Sequence, residues 1–503
     1  MQPKVKTTGK ERNVKRIATG IFSLLTVLSM ANYATANNIS VSNLSLATAD
    51  VPGCVDVQFD VSWDNSWRAA WTELANANVT GADLDVENWD AAWVFFKWRG
   101  EGGWMPATLT TNGHTAPTGV TITVPADGRG AFIHRSVAGS GTFSATVKLC
   151  WNRNLDGAGA SVDLSAHAVE MVYVPAGAFK LGSGALSSTD SDSGSFTDGA
   201  WSSGATIPFL VTGEGELTIT NAPGYLYGTS TAVNNNIGAF GTLPAAYPKG
   251  YAAFYCMKYE ITQGQYAEFL NHQTAANADI RYDAANAGNN RYTISGTHPN
   301  FSASAPNRAN NFMSWADGLR YVTWSGLRPM TELEYEKACR GPLNPVAGEY
   351  AWGSTSITKT TGLDQDGTAD ETPTLETANC VYGSAASVPG PVRAGAFARA
   401  STGRRDAGAS YWGIMELSGN VWERVITVGR PEGRVFTGVH GTGSWDFPAT
   451  GWWISDSKAY GVRGGAWNSA YNSFNSVSDR SYASVENINR SLSYGWRAVR
   501  TAP

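Results

Sequence analysis

From residue 37 to about residue 165, apolar and polar positions alternate in short runs separated by Gly, Pro, Asn and Asp. Val55, Val57, Phe59, Val61 and Trp63 take every second position, as do Phe143, Ala145, Val147 and Leu149, which is the period of half-buried strands. Residues 91–98, 120–124, 131–134, 142–151 and 162–164 read as further strands. Short strands divided by turn residues predict an N-terminal all-β sandwich over 37–165, with 152–160 as the hinge out of it. From Val169 the pattern changes, and helical spacing appears among strands and long loops. Thr262 with Gln265 is a capping-box pair followed by Tyr266, Phe269 and Leu270, and Thr331 with Glu334 opens a helix that should stop at Gly341-Pro342. Residues 166–503 therefore read as an α+β domain rich in irregular loops. Within it, the Ser, Gly and Asp rich stretch 182–204 reads as an exposed loop.

The first 36 residues have a different character. Six Lys or Arg precede an apolar run over 17–30, and Ala34-Thr35-Ala36 follows, which is the pattern of a secretory signal cleaved after Ala36. Fourteen apolar residues are too few to cross a bilayer core of about 30 Å, and no later segment is long and apolar enough, so no transmembrane segment is expected once the signal is removed. The mature chain is expected to be secreted or held at the cell surface. It keeps 31 basic and 41 acidic residues, a net charge of −10, which argues against a nucleic-acid partner because phosphate backbones are bound mainly by clustered Lys and Arg.

An exported chain meets oxidising conditions, so its five cysteines should pair as far as geometry permits. Cys54 opens one predicted strand and Cys150 closes another. If the strands are antiparallel neighbours the two sulfurs meet, and a disulfide between them is expected. Cys339 with Cys380 is a second candidate pair, leaving Cys256 as a small buried hydrophobe.

Several strings in the second domain carry more information than their periodicity. Residues 172–179 (VYVPAGAF), 259–262 (YEIT), 326–336 (GLRPMTELEYE) and 350–353 (YAWG), then 419–423 (GNVWE), 463–467 (RGGAW) and 495–497 (GWR), resemble in order the sulfatase-modifying factor family, also called formylglycine-generating enzymes. The resemblance implies a C-type-lectin-like fold. In catalytic relatives two cysteines five residues apart follow the Arg-Gly-Gly motif and bind copper(I), a soft ion suited to thiolates. Counted from Arg463 these positions hold Ser469 and Phe474, and the chain has no cysteine after Cys380. Neither side chain replaces a thiolate, so no copper and no catalytic residue are expected. The resemblance also implies a Ca2+ site at Asn420, Val421 and Glu423, whose oxygens suit a hard cation. A second such site, begun by Ala378-Asn379, lacks its downstream element.

Of the 27 residues from Asn468 to Tyr494, 16 are Asn, Ser or Tyr. Tyr gives contact area at low rotamer cost and Asn and Ser give adaptable hydrogen bonds, as in antibody paratopes; the same residues also solvate ordinary turns. The recognition reading names Trp467, Asn468, Ser469, Tyr471, Asn472, Phe474, Asn475, Tyr482, Asn487 and Tyr494 as ligand-binding. Its partner is an extracellular protein or glycan, or further copies of the chain. Two other readings stay open: an oxidase or metalloenzyme of the same family with altered ligands, and a ligand-binding protein whose last segment is diversified by a retroelement.

Overall fold

The protein is described from a computed structural model, which covers residues 38–48, 53–159, 162–184, 192–199, 207–228, 240–383, 386–444, 452 and 458–503. The expected signal segment 1–36 lies outside the described residues. The chain is mostly β with few helices. Eight strands build its first third: β1 (Ser40–Thr48), β2 (Val55–Glu73), β3 (Leu84–Gly100), β4 (Gly103–Pro106), β5 (Val120–Thr123), β6 (Ala131–Arg135), β7 (Gly139–Trp151) and β8 (Leu164–Val174). β2 pairs antiparallel with β1 on one edge and β7 on the other, then crosses to pair with β3 through Arg68–Glu73. The period of two now has a cause: Val57, Phe59, Val61 and Trp63 of β2 and Phe143, Val147 and Leu149 of β7 face one apolar cluster. Ala92, Val94 and Phe96 of β3 close that cluster from the opposite side.

β3 has no solvent face over its central run. Its intervening residues Ala91, Trp93 and Phe95 point into a second core, which explains the near-continuous apolar sequence there. That core is completed by α1 (Gln263–Asn271) and α3 (Trp315–Trp324), with α2 (Ala275–Arg281) and α4 (Glu332–Arg340) nearby in sequence. β8 joins the two cores. It pairs with β3 from Leu164 to Val172 and with the strand Phe254–Met257 through Met171–Val174, and the sheet continues to Ala498–Thr501 and Arg328–Pro329. The expected boundary at 165/166 thus falls inside a strand. The expected hinge is a pinned turn, in which Asp156 accepts hydrogen bonds from the Thr108 amide and hydroxyl (both 2.7 Å) and the Trp151 indole (2.6 Å). The described residues form one compact unit.

The register places Asp56 opposite Cys150, and a Cys54–Cys150 disulfide joins Cα atoms 5.5 Å apart, as the strand argument expected. Cys339 and Cys380 do not pair; they and Cys256 are buried free thiols. The stretch 182–204 is also not all exposed loop. Its described part contains the strand Phe196–Asp198, and Asp192 is buried, accepting hydrogen bonds from the Ser183 (2.8 Å) and Ser476 (2.6 Å) hydroxyls. Polar residues that read as solvated instead satisfy one another inside.

Candidate functional site

Helix α4 is the platform beneath the candidate surface. A capping box of Thr331 and Glu334 starts it, Gly341 ends it, and all nine of its residues are buried, five of them charged. Burying such charges is tolerable only when each has a partner. Arg463 meets Glu332 (3.2 Å) and Glu336 (2.9 Å), Arg480 meets Glu332 (2.8 Å), and Arg340 meets Glu336 (3.3 Å) and Glu349. Arg328 grips Glu334 in bidentate fashion at 2.9 and 2.6 Å. Two of the strings noted in the sequence, 326–336 and 463–467, are therefore joined by ion pairs, with the Arg-Gly-Gly arginine bonded to the helix.

Above it lies a three-stranded sheet in the order Tyr460–Arg463, Trp422–Ile426, Tyr494–Gly495. This sheet sets Trp422 opposite Tyr494. Phe474 lies 5.9 Å from the Trp422 ring and 5.5 Å from Tyr482; Tyr482 lies 5.4 Å from Trp422, and Tyr471 lies 5.7 Å from Phe474. Four aromatic rings thus form one cluster, its outermost member Tyr471 being 66% exposed. Phe474 and Tyr482 are half-buried, as is the neighbouring Tyr494.

The expected binding residues divide into two groups. Tyr471, Asn472, Phe474, Tyr482, Asn487 and Tyr494 reach the surface in part or fully, and Asn468 is half-buried. Trp467, Ser469 and Asn475 are buried and spent internally. The Trp467 indole donates to the Leu492 carbonyl (3.1 Å), the Ser469 hydroxyl accepts the Ala466 amide (2.8 Å), and the Asn475 amide donates to the Asn472 carbonyl (3.1 Å). A Cβ at Gly465 would stand 2.0 Å from the Asn475 oxygen, and its φ of +72° also demands glycine. The positions counted as thiolates in catalytic relatives hold a turn hydroxyl and a ring of the aromatic cluster.

Sequence reasoning missed Arg424. Fully buried, it lies over the Tyr494 ring at 4.6 Å, donates to the Asn489 (2.8 Å) and Asn487 carbonyls, and leaves its Nε without a hydrogen-bond partner. Burial without a bonded carboxylate lowers its pKa to about 10. It ties the 487–489 loop to the sheet. Its position next to Trp422 and Glu423 held no signal of this, because both partners are backbone atoms of a distant loop.

The calcium set is not assembled as expected. Asn420, at a left-handed φ of +62°, accepts the Val392 amide with its side-chain oxygen (2.9 Å) and donates to Glu260 (3.2 Å), so its carboxamide is committed. Glu423 bonds Arg497 at 2.7 and 2.8 Å. Glu260, Glu416 and Glu423 each keep one buried oxygen without a hydrogen-bond partner, and burial raises all three pKa values, that of Glu416 to about 7. Among the described residues no group of three His, Cys, Asp or Glu converges as metal ligands. The Asn420 and Glu423 side chains are thus turned to protein partners rather than to one shared position for Ca2+. Asn379 is likewise spent, accepting the Thr358 amide (2.8 Å) and donating to the Arg405 carbonyl (3.1 Å).

Compared with known families, residues 161–502 match the sulfatase-modifying factor enzyme 1-like domain. No curated protein matches the chain.

Proposed function

Since the chain belongs to the sulfatase-modifying factor enzyme 1-like family, we propose that it is an exported recognition or surface protein whose former oxidase groove is non-catalytic. We read the strands before β8 as a β-sandwich that β8 joins to a C-type-lectin-like domain, with Ala36 as the last residue of a cleaved signal. The partner is an extracellular protein or glycan, met by Tyr471, Phe474, Tyr482 and Tyr494 with Asn468, Asn472 and Asn487 around them. The observation that carries this reading is Phe474: where a copper-binding thiolate would stand, the chain places a ring in a partly exposed aromatic cluster. Aromatic faces stack on sugar rings and apolar side chains at little entropic cost, and flanking amides supply hydrogen bonds.

A glycan and protein array probed with the mature chain tests this. Binding lost on Tyr471→Ala supports the reading; an array without a ligand, together with a monomer at all concentrations, counts against both recognition and self-assembly. An altered-ligand oxidase would instead consume oxygen. For the diversified form, the neighbouring DNA would hold a near copy of the last coding segment differing at adenines.

A further inference from the structure

A second constellation stands at the start of β8, away from the aromatic cluster. Ser165 and His167 are two residues apart on one strand and so share a face. The Ser165 hydroxyl lies 3.0 Å from His167 Nε2, and His167 Nδ1 lies 3.3 Å from a carboxylate oxygen of Glu268 on α1. The two ring nitrogens are thus divided between a hydroxyl and a carboxylate. The imidazole is only 5% exposed and is held by Phe95 (5.3 Å), Trp324 (4.7 Å) and His272 (4.5 Å). Burial lowers its pKa, keeping it neutral and able to accept a proton. Ser165 is partly exposed and the Glu268 side chain is 63% exposed.

A cavity of about 320 Å³ adjoins this set, with His167, Glu268, Ala166, Ala168, Gln265 and Val41 in its wall. Among the described residues that line it, none is Lys, Arg or Asp. β8 is bonded to β3 here, while the strand on its other edge begins to pair only at Met171. Alternate amides of 165–169 therefore point away from β3, and such backbone N–H groups can hold an oxyanion.

We propose that Ser165, His167 and Glu268 form a hydrolytic triad for esters of short, uncharged acyl groups. Ser165 Oγ bonds to the ester carbonyl carbon as its proton passes to His167 Nε2, with Glu268 holding the ring through Nδ1. The carbon–alkoxy bond then breaks and the leaving alcohol takes that proton. Water, deprotonated by His167, cleaves the acyl-serine to the carboxylic acid and free Ser165. The required co-reactant is water.

Full-length mature chain is incubated with a fluorophosphonate probe and mapped by mass spectrometry, and p-nitrophenyl acetate hydrolysis is followed in parallel. The probe is expected on Ser165, with Ser165→Ala lowering kcat/KM at least about 100-fold and Glu268→Gln lowering kcat at nearly unchanged KM. An unlabelled Ser165 in the wild-type chain, or a Ser165→Ala variant with the wild-type rate, overturns the proposal.

Discussion

Asp479 sits inside the 468–494 segment with 3% exposure, and its carboxylate accepts the Ser481 amide (3.1 Å) and hydroxyl (2.9 Å) without a bonded arginine. Burial raises its pKa from 3.8 to about 7. A carboxyl group with a raised folded-state pKa favours folding fully below its unfolded value, and this contribution is lost as pH climbs to the folded value. Here the window runs from about pH 4 to about pH 7, and roughly three pKa units at 1.36 kcal/mol each amount to about 4 kcal/mol. Asp479→Asn keeps one oxygen for the Ser481 amide, turns its NH2 to the Ser481 hydroxyl, which can accept, and has no proton to lose. Guanidinium unfolding followed by Trp fluorescence should give nearly equal stabilities for the two proteins at pH 4, with the variant ahead by about 3–4 kcal/mol at pH 8. Glu416 titrates in the same window in both chains, so the difference between them isolates Asp479. Stability curves that stay parallel from pH 4 to pH 8 would refute the reasoning.

Glu332→Gln strips the shared partner from Arg463 and Arg480 and should cost about 3–5 kcal/mol in the same unfolding assay; a loss below about 1 kcal/mol would show that the network is not holding α4. Tyr471→Ala should leave the melting temperature unchanged because the ring is largely in solvent, whereas Tyr482→Ala should lower it by removing a ring from the Trp422 and Phe474 cluster, with ligand binding lost in both. Millimolar Ca2+ against chelator should move the melting temperature by less than about 1 °C at pH 7, since Asn420 is committed to Val392 and Glu260; a larger rise would show that the orphan oxygens of Glu260, Glu416 and Glu423 take the ion.

Local patterns carried some of this. Alternation located β2 and β7 and, with them, the Cys54–Cys150 bridge, because a strand with one buried face writes its period into the chain. The capping boxes at Thr262 and Thr331 marked α1 and α4 because they act over three residues. The same signal at Ser314 and Asp317, which opens α3, went unread. Other features depend on distant partners. β2 runs on past Trp63 to Glu73 through an irregularity at Asn65, where φ is +54°, and no period announces a bulge. Asp192 reads as loop until Ser476, 284 residues away, supplies its hydrogen bond. The aromatic cluster joins Trp422 to Phe474 and Tyr482 across a sheet, and the Ser165, His167 and Glu268 arrangement joins a strand to a helix 101 residues later. Nothing in the spacing of the six histidines along the chain shows which one has a carboxylate behind it.

The proposed loss of oxidase chemistry is tested most directly by incubating the purified mature chain with copper(I), oxygen and a cysteine-containing peptide, and weighing the peptide by mass spectrometry. With Ser469 bound into its turn and Phe474 in the ring cluster, the peptide should be recovered without an aldehyde. Stoichiometric conversion of its cysteine to formylglycine, dependent on this chain, would contradict the account.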